Sequence, residues 1–132
     1  MTKKIIIDAN LFFVPAQFRI DILENIATLL NQKSEPIILQ TTLEEIQQMA
    51  EKGTPKLRKQ AAMAMKIAEK CRIVNVEKNP EETNDEVILR MAAQMKCPVA
   101  TNDRELRKRL RERDVPVIFL RGKHQLELEG SL

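Results

Sequence analysis

The sequence predicts a single α/β domain in which helices cover both faces of a five-stranded parallel sheet. Short, wholly apolar runs such as residues 5–7 alternate with longer segments whose apolar residues recur at helical spacing. Strands inside a parallel sheet are buried on both faces and therefore lack an alternating polar pattern. The alternation of strands and helices also implies right-handed crossovers. A length of 132 residues and a hydrophobic share of 43% suit one domain with its own core.

The N-terminal half contributes two strands and three helices to this prediction. Apolar residues at helical spacing define the first helix, and Pro15 suits its start. The second helix follows the second strand directly, with Thr41 or Thr42 as its cap and Gly53 as its end. In chain order we predict a strand at 5–7, a helix at 17–30, a strand at 36–40, and helices at 41–53 and 56–70.

The C-terminal half repeats the alternation. Three further apolar runs are separated by two amphipathic segments of helical periodicity. We expect the domain to span residues 1–122 and residues 123–132 to form a polar, irregular tail. In chain order the predicted elements are a strand at 71–76, a helix at 84–95, a strand at 97–101, a helix at 102–113 and a strand at 115–120.

Several classes of function are excluded by what the sequence lacks. It has only three glycines and no glycine-rich loop of the kind that cradles nucleotide phosphates. Cys71 and Cys97 have no metal-ligand spacing, and we interpret them as reduced core residues of a cytoplasmic protein. His124 has no Cys or His partner for a zinc site and is expected at the surface. No apolar run approaches the ~20 residues that cross a bilayer, so no membrane association is expected.

Four acidic residues follow predicted strands or open predicted helices. Asp8 comes directly after the first strand, and Asp103 follows the fourth. Glu45 and Asp85 lie about one turn or less into the helices that start at the same edge. Because the carboxyl ends of parallel strands meet at one edge of a sheet, we expect all four side chains to converge there.

Two of these acids have acidic neighbours, and helical geometry separates each pair. At ~100° per residue, Glu44 points away from the buried stripe of its helix, whereas Glu45 lies at the flank of that stripe. Glu86 likewise points away from the stripe of the next helix, and Asp85 lies at its border. Glu45 and Asp85 are therefore the candidates, while Glu44 and Glu86 are expected to be solvated.

Each acid also has a purely structural explanation. Glu45 would complete a capping box with Thr42, Asp85 and Asp103 would favour the positive ends of their helices, and Asp8 would form a turn. Taken singly, these explanations are preferred for all but Asp8. Taken together, converging carboxylates repel one another, and a bound cation offsets that repulsion. Oxygen ligands without Cys or His indicate Mg²⁺ or Mn²⁺, a site that commonly serves phosphodiester hydrolysis.

The positive charge is concentrated in the last predicted helix. Although the net charge is only +3, residues 104–113 hold six basic and two acidic residues, while residues 77–86 hold five acids and one lysine. The basic stripe is either a solvated helix face with an i,i+4 pair between Glu105 and Arg109, or a ridge that contacts phosphates. Its closeness to Asp103 favours RNA binding. The stripe consists of Arg104, Arg107, Lys108 and Arg111.

These motifs resemble those of the PIN-domain family of metal-dependent ribonucleases over nearly the whole chain. The matching stretches are IIIDAN with Asp8, TTLEEI with Glu45, NDEVILRMA with Asp85 and VATNDRELRKRL with Asp103. The resemblance implies a parallel five-stranded sheet and four acids that hold Mg²⁺ or Mn²⁺ for catalysis. It also implies endonucleolytic RNA cleavage that leaves a 5′-phosphate and a 3′-hydroxyl.

The resemblance extends to supporting residues and partners. Asn10 and Thr101 would support the acids through hydrogen bonds, with Asn102 as a weaker candidate. DANLFFVPAQFRIDIL and TNDRELRKRLRERDVPVIFLRG look most similar to the archaeal branch related to the PIN endonuclease of the small-subunit processome, which acts in ribosomal RNA processing. The alternative branch is the VapC toxins, which pair with an antitoxin. The implied partners are thus RNA, a second copy in a homodimer, and a ribosome-assembly or antitoxin protein.

Two rival functions come from other classes. One is a non-catalytic scaffold that binds RNA or assembles complexes through the same fold. The other is a receiver-like domain with Asp8 as phosphoacceptor, which would need a lysine at the end of a late strand, where only Arg121 and Lys123 come near. Since the chain has no Trp or Tyr and only four Phe, we expect RNA recognition to depend on the backbone more than on bases.

Overall fold

The computed structural model describes residues 3–132, and within them six strands form one mixed sheet. Their lateral order is β3-β2-β1-β4-β5-β6, with parallel pairing everywhere except between β5 and β6. The predicted α/β domain with five parallel strands is confirmed, and a sixth, antiparallel strand extends one edge. The strands are β1 (Lys3–Ile7), β2 (Ser34–Leu39), β3 (Arg72–Val74), β4 (Val99–Ala100), β5 (Val117–Arg121) and β6 (Gln125–Glu129).

Helices cover both faces of the sheet. A short 3-10 turn, Ala9–Phe13, joins β1 to the first of them. No helix within residues 3–132 is both long enough and apolar enough to cross a membrane. Across the described residues the helices are α1 (Val14–Phe18), α2 (Ile22–Leu30), α3 (Gln40–Lys52), α4 (Pro55–Ala68), α5 (Asn84–Met95) and α6 (Arg104–Glu112).

The apolar strands supply two separate cores, one on each face. Side chains alternate along β1, so Ile5 and Ile7 pack with α2, α3 and α4, whereas Ile6 packs with α5 and α6. All three isoleucines are fully buried, and each such burial contributes about 1.5–3 kcal/mol. This two-sided burial explains why the strands read as continuous apolar runs and why the polar residues begin where the strands end.

The prediction of one continuous helix over residues 17–30 is wrong. α1 ends at Phe18, the following Arg19 adopts a left-handed conformation with φ of 55°, and α2 begins after Asp21. The Asp21 side chain caps α2 by accepting a hydrogen bond from the Glu24 N–H at 3.1 Å. Ile20 turns into the core between the two helices and is buried. The apolar spacing was read correctly, but the capping residue inside it was missed.

The cap predicted for the N-terminus of α3 is also wrong. The helix starts at Gln40, and Leu39 occupies the cap position without a side-chain hydrogen bond. Thr41 and Thr42 are buried inside the first turn, so the expected capping box between Thr42 and Glu45 does not form. Gly53 ends the helix as predicted.

Two predicted strands are shorter than expected. The N–H of Cys71 bonds to the carbonyl of Ala68, and that of Cys97 bonds to Ala92. Both cysteines therefore close the preceding helix instead of opening β3 or β4. They are free and buried, as predicted, and burial raises the pKa of each thiol to about 11.

Residues 123–132 do not form the expected irregular tail. Gln125–Glu129 pair with β5 after a turn at Gly122, whose φ is +63°. Leu126 and Leu128 alternate with polar residues, and they pack on the first core beside α2. The alternation in QLELE is typical of a strand with one buried face, although the segment is polar overall. His124 lies exposed in the turn, as predicted.

Candidate metal centre

The four predicted acids line one open cleft at the carboxyl edge of the sheet. The cleft has a volume of about 430 Å³, and its lining includes Asp8, Glu45, Asp85 and Asp103. β1 and β4 are neighbours in the sheet, which brings Asp8 next to the segment that leads to Asp103. α3 and α5 start at the same edge and add Glu45 and Asp85. The convergence expected from strand order is therefore present in the structure.

Asp8 is the most constrained of the four acids. Its side chain is only 8% exposed. One carboxylate oxygen accepts a hydrogen bond from the Ala9 N–H at 2.8 Å, and the other accepts from the Thr101 hydroxyl at 2.7 Å and the Asn10 amide at 3.3 Å. These donors come from two neighbouring strand ends, so the carboxylate is fixed to the sheet.

Thr101 and Asn10 extend this network along the edge of the sheet. The Thr101 hydroxyl donates to Asp8 and accepts from the Asp103 N–H at 3.1 Å. The Asn10 side chain accepts from the Asn102 N–H at 3.0 Å. The Asn102 side chain does not face Asp8; it accepts from the Leu120 N–H at 2.7 Å and holds the loop to β5. Asn10 and Thr101 thus lie within hydrogen-bonding distance of Asp8, in the position that the family resemblance implies.

Asp103 and Glu45 each have one oxygen engaged. Asp103 caps α6 by accepting from the Leu106 N–H at 2.9 Å. Glu45 accepts from the Asn84 amide at 2.7 Å, a contact between the starts of α3 and α5. Asn84 was not singled out from the sequence, because nothing in the chain marks a contact between residues so far apart. Within residues 3–132, the second oxygen of each carboxylate has no hydrogen-bond donor.

Two of the four acids, Asp8 and Asp85, have a raised pKa. Burial is the main cause that raises the pKa of Asp8 to about 6, and the charges of Asp85 and Glu45 add to it. The hydrogen bonds from Thr101 and Ala9 act in the opposite direction and are outweighed. Burial also raises the pKa of Asp85, with further contributions from Asp103 and Glu45. The cleft therefore concentrates negative charge that its own donors do not compensate.

The donor set of the cleft fits a hard divalent cation in an open site. Only carboxylate, amide and hydroxyl oxygens are offered, which suits Mg²⁺ or Mn²⁺. In the described part of the chain, no three acidic, Cys or His side chains stand close enough to cage an ion. Mg²⁺ usually keeps several waters and takes only one or two carboxylates, so a closed cage is not required. The arrangement suits a hydrated cation that also contacts a substrate phosphate.

The acidic neighbours lie outside the cleft. Glu44 is exposed and accepts a hydrogen bond from the Gln40 amide at 3.3 Å. Glu86 forms a capping box with Thr83 at the start of α5. The choice of Glu45 and Asp85 within each pair therefore agrees with the geometry.

The four residues of the basic stripe on α6 differ in their exposure and in their contacts. Arg104 and Lys108 are exposed, and the Arg107 guanidinium stacks over the buried Phe119 ring at 4.2 Å from its centre. Arg111 instead donates to the Val115 carbonyl at 3.1 Å and pairs with Glu129 of β6 at 3.5 Å. Near Asp103 the stripe is open, and further along α6 it is neutralised by β6.

The ion pair expected for a solvated helix face does not form in the described chain, although Arg104 and Lys108 are exposed as on such a face. Between residues 3 and 132 no ion pair joins Glu105 to Arg109.

The two phenylalanines that follow Asp8 in the sequence are both buried. Phe12 is fully buried in the first core, whereas Phe13 is buried and still lines the acid cleft.

Comparisons with known proteins agree with this architecture. A family described as PIN like domain matches residues 5–123. Ribonuclease VapC4 of Methanocaldococcus jannaschii is 30% identical over 132 residues, with 98% of each chain covered. The PIN domain endonuclease Utp24 superposes with a TM-score of 0.77 at 27% identity, covering 98% of this chain and 92% of that one.

A more distant similarity concerns the fold alone. VapBC2 from Rickettsia felis, solved with a DNA fragment from its promoter, gives a TM-score of 0.64 at 15% identity. It covers 89% of this chain and 99% of that one. The family match spans nearly the whole sequence and contains all four acids. The chain therefore belongs to the PIN-like domain family.

Proposed function

We propose that this protein is an endoribonuclease that hydrolyses RNA phosphodiester bonds with Mg²⁺ or Mn²⁺ held in the acid cleft. The observation that carries the proposal is the convergence of Asp8, Glu45, Asp85 and Asp103 on one open cleft. The family membership and the 30% identity to a ribonuclease support it. A capping role for a single acid does not explain why the cleft gathers negative charges that raise the pKa of Asp8 and Asp85.

The four carboxylates are the proposed metal ligands and catalytic residues. Glu45 and Asp103 each offer a free oxygen, and Asp85 has no side-chain hydrogen bond within residues 3–132. A cation bound there would supply a hydroxide nucleophile at neutral pH and neutralise charge on the scissile phosphate. Asn10 and Thr101 hold Asp8 in a single orientation, so little reorganisation is needed when the cation binds.

The part of the α6 stripe that β6 does not neutralise is the proposed contact for the RNA backbone. Arg104, Arg107 and Lys108 lie on the helix that begins at Asp103, so phosphates beside the scissile one come within their reach. Arg111 belongs to the same stripe, but Val115 and Glu129 occupy its guanidinium. We therefore expect Arg111 to contribute less to RNA binding than Arg107.

The basic stripe gives a direct binding test. Arg107→Gln should weaken binding of a labelled single-stranded RNA, measured in EDTA, and should reduce the salt slope by about 0.7, the value for one lost phosphate contact. Arg111→Gln should leave the slope nearly unchanged and instead lower stability through β6. Equal effects of the two substitutions on the slope would refute the division of the stripe.

RNA cleavage tests the function itself. The wild type should cleave single-stranded RNA with Mn²⁺ or Mg²⁺ and not with EDTA, and Asp8→Asn should lower the rate by a factor on the order of 10² or more. Glu44→Gln is the matched control, because it removes an acid just outside the cleft. Cleavage that survives EDTA, or that Asp8→Asn leaves intact, would refute the mechanism. Metal-independent RNA binding without cleavage of any RNA would favour the non-catalytic scaffold.

Two biological roles fit an enzyme of this kind. Similarity to Utp24, together with the sequence motifs, supports a role in ribosomal RNA processing. The 30% sequence identity with Ribonuclease VapC4 supports a toxin role with an antitoxin partner. The first role predicts cleavage confined to a ribosomal RNA precursor. The second predicts a cognate protein that stops cleavage when it binds.

A further inference from the structure

A second cleft lies directly beside the acid cleft, between α1 and α4. Its volume is about 660 Å³, within the range of pockets that hold small organic groups. Gln17, Leu57 and Gln60 line both clefts, so the two form one continuous surface. Phe18 and Lys56 line the second cleft only. We call this second cleft the glutamine cleft.

Its two amides are available for a ligand. Two other glutamine amides, those of Gln40 and Gln125, donate to neighbouring carboxylates, and the remaining unpaired glutamines of the described chain lie outside both clefts. The amides of Gln17 and Gln60 have no hydrogen-bond partner within residues 3–132, although Gln60 is half-buried. An amide offers both a donor and an acceptor, which matches the mixed edge of a nucleobase.

The rest of the lining offers a flat apolar surface and one cation. Phe18 and Leu57 are half-buried and pack on the first core, so the core holds both side chains in place. Lys56 is exposed at the cleft, and no acid lines it. An apolar face, hydrogen-bonding amides and a single cation are the features that bind an unpaired nucleotide.

We propose that the glutamine cleft binds an unpaired nucleobase next to the phosphate that is cleaved. The proposal rests on the proposed function, since it places the scissile phosphate in the acid cleft. Phe18 and Leu57 contact the face of the base, Gln17 and Gln60 pair with its edge, and Lys56 contacts the following phosphate. Recognition then includes one base, in addition to the backbone contacts expected from the sequence.

A nucleobase fits this position better than a peptide. The adjoining acid cleft disfavours an acidic segment. The apolar part of the lining consists of Ala16, Phe18 and Leu57, a surface too small to anchor an apolar helix. The direct opening into the acid cleft matches the covalent link between a base and its own phosphate.

The test compares ligands that differ only in the base. ¹⁵N-labelled wild-type protein, without metal, is titrated separately with AMP, GMP, CMP, UMP and ribose 5-phosphate, and the side-chain amide signals of all glutamines are followed. At least one nucleotide should shift the signals of Gln17 and Gln60 and should bind at least about fivefold more tightly than ribose 5-phosphate. Gln48, exposed on α3, is the internal control and should not respond.

Two results would overturn the nucleobase site. One is equal binding of all four nucleotides and ribose 5-phosphate. The other is nucleotide binding that leaves the signals of Gln17 and Gln60 unchanged. The wild type alone decides the question, so the result does not depend on a variant that folds poorly. As a second measurement, Gln60→Leu should remove the preference for the base, and Gln48→Leu should keep it.

RNA cleavage measured in parallel separates this proposal from the proposed function. Base-dependent shifts at Gln17 and Gln60 without metal-dependent cleavage would refute the enzyme and the position beside a cleaved phosphate, and would support base binding in the glutamine cleft alone. Metal-dependent cleavage without base-dependent shifts would refute the nucleobase site alone. If both hold, Gln60→Leu should change the base preference beside the cut while the metal requirement stays the same.

Discussion

The two walls of the acid cleft are built in different ways. On the sheet wall, Asp8 is nearly inaccessible and is held by donors from Ala9, Asn10 and Thr101. On the helix wall, Asp85 is half-exposed and has no side-chain hydrogen bond among residues 3–132. One wall is fixed before any ligand arrives, and the other is free to adjust.

This difference follows from the origin of each residue. Asp8 extends a strand that is buried on both sides and hydrogen-bonded to its neighbour, since its own N–H donates to the Ala100 carbonyl at 2.9 Å. Asp85 lies in the first turn of a helix that the Thr83–Glu86 capping box caps, so its own carboxylate is not used as a cap. An acid fixed by the sheet sets the position of a cation, while acids on helix starts adapt to its hydration.

The largest expected contrast concerns pH and stability. Because the folded pKa of Asp8 is about 6, above its ordinary 3.8, ionisation disfavours the folded state, so this contribution to stability falls as pH rises from about 4 to about 6. The substitution Asp8→Asn removes the ionisable group and therefore this loss. In EDTA, the unfolding free energy of Asp8→Asn minus that of wild type should increase by on the order of 3 kcal/mol between pH 4 and pH 7.

Asp85→Asn is the matched variant for the other wall. The pKa of Asp85 is also raised, but this carboxylate is more exposed than that of Asp8. The difference in unfolding free energy between Asp85→Asn and wild type should therefore increase less over the same pH range. Urea unfolding followed by circular dichroism measures both. A stability difference for Asp8→Asn that does not change with pH would contradict the buried, repelled carboxylate.

The next contrast separates two buried threonines. Thr101→Val removes the donor to Asp8 and the acceptor for the Asp103 N–H, and should cost about 1–3 kcal/mol in unfolding free energy. The Thr41 hydroxyl is buried and has no partner within the described residues. Thr41→Val should therefore be neutral or slightly stabilising. Equal losses for both variants would mean that the Thr101 network does not fix the sheet wall.

The smallest effect is expected on the helix wall. Asn84→Ala removes the hydrogen bond to Glu45 and should cost about 0.5–1 kcal/mol, because the pair is half-exposed. It should also weaken Mn²⁺ binding several-fold by releasing Glu45. Asn75→Ala, at an exposed position after β3, serves as control. If Asn84→Ala lost more unfolding free energy than Thr101→Val, the helix wall and not the sheet wall would be the more firmly held.

Much of this architecture was readable from the sequence because its signals are local. The apolar runs marked the five parallel strands, and the bounds of α5 agree with its periodicity. The positions of the four acids at strand ends and helix starts predicted their convergence on one edge. The features that the sequence did not predict depend on contacts between residues distant in the chain. The Asn84–Glu45 bond, the pairing of Arg111 with β6 and the glutamine cleft between α1 and α4 have no local signature.

Local signals were also misjudged in two places. Asp21 is a good helix cap, but it lies inside an apolar pattern of helical spacing, so the break between α1 and α2 was not predicted. The strand at Gln125–Glu129 buries only one face and reads as polar. In both cases, tertiary packing decided between two patterns that the sequence permits.

Binding of Mn²⁺ to the acid cleft tests the central claim most directly. Thermal unfolding is followed by circular dichroism, since Trp and Tyr are absent, for wild type, Asp103→Asn and Glu44→Gln. Asn keeps the cap of α6, so Asp103→Asn changes the ligand and little else. Mn²⁺ at ~100 times its dissociation constant should add about 2.7 kcal/mol to wild type and Glu44→Gln, and much less to Asp103→Asn. If Mn²⁺ stabilises none of them, or all of them equally, the four acids do not form a metal site.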